Sequence, residues 1–537
     1  MSIVTLKKVS ITTIAIIAVL AIAGLARYWG LDFGLPFLYN TDEPNFVTRA
    51  FRILGTGDLN PHWFGHPGSF TIYSLSLVFG LYASIGLMLG HFPDLSAIEV
   101  ITRTEPSEFY FVGRLLILFF GMLAVYLTYL MGKRGQNRTV GLISASIMAI
   151  APLSVELSRL IRTDMQMTAL ILITVIYCFK IIEKPKISNY IIAGLFLGLS
   201  VATKYPAIFG CLPIIAAHFI SQSNQGIPLT KNFAHLLTAA TFSLIGAFLA
   251  APYLFIDIQT ALNDILGEAR STHLSSTSYG FTNSIFRYFY DVILSNVSLA
   301  GGFFALISVF VIVKKPRDNY FGIVVLSFFI PFLFFISSLN LWWERWAMPL
   351  IPFACYLAAH GVYISYKIFE HTRLKFFVAT SLVIALILPL RETLLDANEL
   401  AQGDTRTHAY RWSRQNISEN SLILVESYSP QLPTESYRLI QPGFMDEDFQ
   451  PASTKYYRAL GVIGELEDTK DIVESDPDYI ILSDQYDRRL AGGEPYAHSM
   501  PIYNYIFRNY DKVFEVKSIR GSLAGNVVRI YSKPKSE

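Results

Sequence analysis

Charge is scarce in this chain. Only 16% of its 537 residues are Asp, Glu, Lys or Arg, 52% are hydrophobic, and the mean hydropathy is +0.41. Soluble domains carry nearer a quarter charged residues, so a wholly soluble protein is excluded. The net charge of +2 is too small to attract nucleic acid, and no nucleic-acid partner is expected. Cysteine is scarcer still. Cys178, Cys211 and Cys355 each lie inside an apolar segment; an odd number so placed gives neither a disulfide framework nor a metal-ligand spacing. Repeats and low-complexity tracts are missing. No Ala-x-Ala site follows the first apolar run, which argues for an uncleaved helix rather than a signal peptide.

What the chain has in quantity is long apolar runs. Lys7 and Lys8 precede one at 9–26, and others of membrane length fall near 109–131, 139–158, 165–182, 188–203, 206–220, 233–254, 297–313, 319–338, 346–366 and 376–391. That predicts about eleven crossings. Lys133, Arg134 and Arg138, then Lys184 and Lys186, then Lys314, Lys315 and Arg317, then Lys367, Arg373 and Lys375 mark cytoplasmic loops, and the amino terminus is cytoplasmic by the same rule. The run at 67–90 is apolar enough to cross. Were it to do so, every later basic loop would move outside, so an in-plane or re-entrant helix is expected. After Arg391 the composition becomes ordinary. The remaining 392–537 are expected to form a small α/β domain outside the cytoplasm, with strands at 422–425, 479–482 and 527–531.

Against this background the polar stretch 39–68, YNTDEPNFVTRAFRILGTGDLNPHWFGHPG, stands out. Ionisable groups beside a membrane are costly enough to point to function. The other loops of the same side add Glu156, Arg159, Arg162 and Asp164; Lys204 and Tyr205; Asp257, Asp264, Glu268, Arg270 and His273; and Glu344 with Arg345. Carboxylates grouped with Arg and Lys at one membrane face supply a general base and an anion clamp, the parts needed for transfer from a phosphorylated lipid.

The motifs TDEP (41–44), GDLNP (57–61), HPG (66–68), VGRLL (112–116), SRLIRTDMQMT (158–168), GLSVATKYPA (198–207) and ERWAMPLIPF (344–353) occur in that order. In them the chain resembles the GT-C fold membrane glycosyltransferases that use polyprenyl-phosphate sugars, the group of protein O-mannosyltransferases and the lipid A aminoarabinose transferase. The resemblance implies a polytopic helical enzyme, with residues 1–391 forming the transferase domain and 27–108 its first outer loop. It further implies a polyprenyl-phosphate-linked sugar donor, a lipid, glycan or protein acceptor, and residence in the inner (plasma) membrane. It places the catalytic carboxylate at Asp42 with Glu43 beside it, an assisting acid at Asp164, and donor-phosphate contacts at His66, Lys204, Arg345 and Arg159 or Arg162. Where the aminoarabinose transferase has a lysine before its prolines, this chain has His66.

Blander roles stand beside these. Asp42 and Asp164 could cap helices, Lys204 and Arg345 could snorkel to the interface, and the three tryptophans of LNLWWERW suit an aromatic belt. A transporter would also carry charges among many spans, although it would place them at the midplane, and a noncatalytic scaffold would not need the acid-base cluster. No Asp-x-Asp pair marks a divalent ion, which leaves a metal open; no cofactor is required by anything in the sequence.

Overall fold

Helix α1 (Ile11–Tyr28) starts where the Ser10 hydroxyl accepts the Thr13 amide, and its apolar body runs the length of a bilayer. The computed structural model to which it belongs describes residues 10–65, 68–226, 233–267, 279–426, 428–433, 435–440, 469–492, 497 and 500–534. There follow α2 (Glu43–Thr56), α3 (Ser69–Met88), α4 (Leu95–Thr104), α5 (Ser107–Gly135), α6 (Arg138–Ala149), α7 (Pro152–Leu157), α8 (Asp164–Glu183) and α9 (Ile187–Thr203). The second half of the bundle contains α10 (Cys211–Asn224), α11 (Phe233–Ala250), α12 (Tyr253–Ile256), α13 (Ile258–Gly267), α14 (Phe281–Arg287), α15 (Leu294–Lys314), α16 (Tyr320–Ser337), α17 (Ile351–Ile368) and α18 (Leu374–Gln402).

Helix α3 is a long apolar helix that does not run with the others. Near its start the Thr71 hydroxyl donates to Gln166 Oε1 (2.7 Å) and Gln166 Nε2 donates to Ser74 (3.1 Å), so it touches the first turn of α8. Near its end the Tyr82 hydroxyl donates to Glu108 (2.8 Å) and Phe79 packs edge-on against Phe109, at the first turn of α5. Because α5 and α8 begin at the same end of the bundle, a helix of about 30 Å that meets both starts must lie across that end. Of the ten helices among the described residues that are long and apolar enough to span, α3 is therefore set aside; α6 and α9 are shorter apolar helices, and counting them as crossings gives eleven among the described residues. The apolar run at 139–158 divides into α6 and α7 at Ala151–Pro152, because proline cannot continue the hydrogen bonding of α6.

Close packing fixes where the helices end. On α9, Gly194 and Gly198 sit four residues apart; a Cβ on either would lie 2.2 Å from the Ala239 carbonyl oxygen or 2.0 Å from that of Ser243 on α11. Such small-residue faces let membrane helices approach closely, and here they set the height of Lys204 just beyond α9. Basic residues Lys133, Arg134, Arg138, Lys184, Lys186, Lys314 and Lys315 all fall at the end opposite α3.

Helix α18 runs on past the expected boundary at 391 to Gln402 and leads into α19 (Thr405–Asn416). A five-stranded sheet follows, formed by β1 (Leu422–Val425), β2 (Arg438–Ile440), β3 (Tyr479–Leu482), β4 (Asp511–Val516) and β5 (Val528–Ser532) in the order β2-β1-β3-β5-β4. Strands β1, β2 and β3 are parallel, and β5 runs antiparallel to both of its neighbours. Helices α20 (Thr469–Ser475), α21 (Gln485–Gly492) and α22 (Met500–Asn509) complete the domain. The sequence LILV of β1 and YIIL of β3 are apolar throughout because both faces of these central strands are covered. Arg406 ties this domain to the bundle. It pairs with Asp404 (2.7 Å), donates to the Tyr39 carbonyl (3.1 Å) and lies over the Tyr39 ring, three residues before Asp42.

Candidate active site

Helix α2 begins at Glu43, with Asp42 in the N-cap position and Pro44 favouring the first turn. Yet the Asp42 carboxylate makes no cap bond. It turns instead toward two guanidinium groups, with Oδ2 2.5 Å from Arg162 Nη2 and 2.7 Å from Arg345 Nη1. Asp42 keeps 31% of its side-chain surface, so this ion triad opens to the surroundings. Arg162 belongs to the turn before α8. Arg345 opens the short 3-10 segment Glu344–Leu350, and its guanidinium rests on the Trp343 ring.

Beside the triad stands a second pair. Lys204 Nζ lies 2.6 Å from Asp164 Oδ1, and Asp164 is 3% exposed. Asp164 is the first residue of α8 and the N-cap position belongs to Thr163, so its carboxylate is free to meet Lys204 across 40 residues of chain. Burial pulls the Lys204 ammonium below its ordinary range, with Asp164 opposing, and burial followed by the nearby Arg345 lowers Arg162. Asp42, Asp164, Lys204, Arg162 and Arg345 thus come together from four separate loops at the face covered by α3.

Glu43 lies elsewhere. It is fully buried, takes both Arg114 Nε (2.9 Å) and Nη2 (2.7 Å), and accepts the Ile161 amide at 3.0 Å. Arg114 also donates to the carbonyls of Leu31 and Phe33. One residue therefore locks TDEP to VGRLL and to SRLIRTD, and Arg114 is the joint that sequence reasoning missed. Its signal was an arginine inside an otherwise apolar helix, which has to find a partner.

Arg159 turns toward α1, where Nη2 donates to the Ala26 carbonyl at 2.5 Å; it makes no described contact with Asp42 or Asp164. Burial draws it down to about 10. Glu156 lies on α7, where desolvation by the surrounding protein pushes its carboxyl up to about 7 against the pull of Arg162. His66 lies outside the described residues, as do Glu268, Arg270 and His273. The loop before His66 is stapled from both sides: Asp264 accepts the Phe64 amide (2.7 Å), Tyr205 donates to the Phe64 carbonyl (2.9 Å), and Asn60 donates to Asp257 (3.0 Å). Among the described residues no three His, Cys, Asp or Glu side chains gather as a metal site.

Comparison with known proteins places this architecture. Residues 108–252 match the family model of dolichyl-phosphate-mannose-protein mannosyltransferase. The crystal structure of ArnT from Cupriavidus metallidurans bound to undecaprenyl phosphate superposes with a TM-score of 0.54 at 12% identity, over 96% of this chain and 97% of that one. The oligosaccharyltransferase of Archaeoglobus fulgidus gives 0.51 at 12% identity, over 98% of this chain and 75% of its own. The chain has the GT-C fold of these membrane proteins. No curated protein sequence matches it.

Proposed function

From the GT-C fold and the matched mannosyltransferase segment, we propose that the chain is a membrane glycosyltransferase that moves a sugar from a polyprenyl-phosphate donor to an acceptor hydroxyl of a lipid, glycan or protein. The observation that carries this reading is the partly exposed Asp42 carboxylate between Arg162 and Arg345, with the Asp164–Lys204 pair alongside. Basic residues at the opposite end favour a cytoplasmic location for that end. The site and the α/β domain then lie outside, in the inner membrane of a cell whose donor is presented there.

In the reaction the acceptor oxygen attacks the anomeric carbon and its proton passes to Asp42. The bond from that carbon to the phosphate oxygen breaks, and the leaving polyprenyl phosphate keeps the electron pair. One-step attack opposite the leaving group inverts the anomeric centre. Two guanidinium groups hold Asp42 Oδ2, and the carboxylate is open to an acceptor proton only if a competitor draws them off. The donor phosphate is that competitor: Arg345 and Arg162 turn to it, aided by Lys204, and Asp42 is freed to meet the acceptor hydroxyl as the substrate arrives. Asp164 holds Lys204 in place. ArnT bound to undecaprenyl phosphate supports a lipid phosphate as the leaving group.

The test is transfer by the purified chain in lipid nanodiscs, with a panel of polyprenyl-phosphate sugars and membrane acceptors, followed by the anomeric configuration of the product. Asp42→Asn keeps the size of the side chain and cannot take the proton, so turnover should fall about 10²–10⁴-fold in a protein that still folds. Equal turnover in the variant would remove Asp42 as the base, and a retained configuration would end the one-step mechanism.

A further inference from the structure

The α/β domain holds a second collection of polar side chains that the proposed reaction does not use. They stand at the carboxyl ends of the two central parallel strands. After β1 come Glu426, Tyr428, Ser429 and Gln431; after β3 come Ser483, Asp484 and Gln485, with Arg489 one turn further along α21. Chain connections leave β1 toward β2 on one side and reach β3 on the other, so these loops part around a crevice. In open α/β sheets such a parting point is where ligands bind.

What sets this crevice apart is its unmet hydrogen bonding. Gln485 is fully buried, and among the described residues neither its amide nitrogen nor its amide oxygen has a partner. The same holds for Nε and Nη1 of Arg489, which is 4% exposed, and for Ser429 Oγ and Gln431 Oε1, both on buried residues. Buried polar groups left unpaired are costly, and native domains hold few of them. Here several of them stand in the two loops that leave β1 and β3, a set of hydrogen bonds open to a ligand. Close by, Glu426 is fully engaged with the Ser483 amide (2.8 Å), the Ser483 hydroxyl and the Tyr503 hydroxyl, and frames the floor. At the rim the half-buried Tyr428 has a φ of 61°, a strained conformation for a non-glycine residue, with Arg488 over its ring.

The chemistry of the lining narrows the ligand. Free donors (Gln485, Arg489) are interleaved with free acceptors (Gln485, Gln431) and a hydroxyl that is both (Ser429), and acids offset the arginines. An anion would meet Glu426 and Asp484, and a cation would meet two arginines. A neutral ligand that donates and accepts at adjacent atoms fits, which is the property of sugar hydroxyls. The crevice is linked to the loop that carries Asp42: Asp484, bonded to Arg488 Nε at 2.8 Å, interacts electrostatically with Arg406, whose guanidinium holds the Tyr39 carbonyl.

We propose that the crevice at the ends of β1 and β3, lined by Ser429, Gln431, Gln485 and Arg489, binds a neutral carbohydrate and docks the glycan part of the acceptor above Asp42. The binding site stands on its own geometry; its role toward the acceptor rests on the transferase reading.

Two measurements on the full-length protein in nanodiscs separate these parts. The first is binding of a neutral hexose trisaccharide, with inorganic phosphate and an uncharged peptide as alternatives, to wild type, Gln485→Leu, Arg489→Met and the milder Ser429→Ala. Saturable trisaccharide binding that weakens at least about 10-fold in Gln485→Leu and Arg489→Met is expected, since one lost buried hydrogen bond of 1.5 kcal/mol corresponds to that factor. Asp42→Asn should bind as wild type does. Preference for phosphate or peptide, or unchanged affinity in all three variants, overturns the carbohydrate site. Ser429→Ala keeps the question answerable if the larger changes fail to fold. The second is transfer kinetics, in which Gln485→Leu should raise the acceptor KM and leave the donor KM and kcat unchanged. An unchanged acceptor KM in an active enzyme overturns the docking role alone, whereas trisaccharide binding with no transfer from any donor overturns the transferase reading and leaves the site.

Discussion

Asp42 and Glu43 are neighbours in sequence and opposites in the structure. Asp42 is partly exposed and shares one oxygen between two arginines from distant loops, whereas Glu43 is fully enclosed and gives both oxygens to Arg114 and one also to the Ile161 amide. The difference follows from the start of α2. Successive residues on a helix point about 100° apart, so one acid faces the open end of the bundle and the other faces the joint between α1, α5 and α7. A carboxylate that must exchange partners needs solvent and competing cations. A carboxylate that must hold a fold needs neither.

The comparison is broken most sharply by making the same change at both positions. Asp42→Asn should cost about 10²–10⁴ in kcat and little in thermal stability. Glu43→Gln should do the reverse: it leaves Arg114 buried without its counter-charge, a loss of about 3–5 kcal/mol, seen as a lowered unfolding temperature and poor yield in detergent. Arg114→Met tests the same joint from the other side. If Glu43→Gln were as stable as wild type and catalytically dead, the two roles would have to be exchanged.

A smaller effect is expected at Arg345. Lysine keeps the charge but loses the forked geometry, so Arg345→Lys should raise the donor KM about 10-fold, within the range for one charge-assisted hydrogen bond, and leave acceptor KM unchanged. A change in kcat with donor KM constant would mean that the guanidinium acts on Asp42 and not on the phosphate.

Much of this was legible in the sequence, and for a physical reason. Asp42, Asp164, Lys204 and Arg345 announce themselves because charge beside a membrane has few innocent explanations. The basic loops fixed the parity that sets α3 across the bundle. Strands β1, β3 and β5 showed as apolar runs. In contrast β2, three residues long, and β4, half exposed at an edge, bury too little to leave a pattern. Nor could one sequence tell which acid of the pair would be enclosed and which left open, since the deciding partner, Arg114, lies 71 residues away. The crevice was hidden for the same reason. Its polar residues sit in two loops more than fifty positions apart, and each alone resembles an ordinary turn.

The α/β domain offers its own buried carboxylate against which to set Glu43. Among the described residues no cation bonds to Glu426 as Arg114 does to Glu43; it accepts from Ser483 and Tyr503, and burial pushes its carboxyl up to about 7 from an ordinary 4.5 against the hydrogen bonds and the more distant pull of Arg489. Below the ordinary value the group is protonated whether the domain is folded or not, and nothing is lost. Between there and 7 the folded state holds a proton that the unfolded chain has released, so stability falls as pH rises, by up to about 1.4 kcal/mol per unit, and the loss is complete above 7. Unfolding of the domain, followed by hydrogen exchange at β1 and β3, should therefore become easier from pH 5 to pH 7. In Glu426→Gln, which stays neutral and similar in size, that slope should flatten while the behaviour of Asp42 is untouched. A slope that survives the substitution would place the titrating group elsewhere and make Glu426 a carboxylate held ionised by its hydroxyl partners, closer in kind to Glu43 than the difference in their neighbours implies.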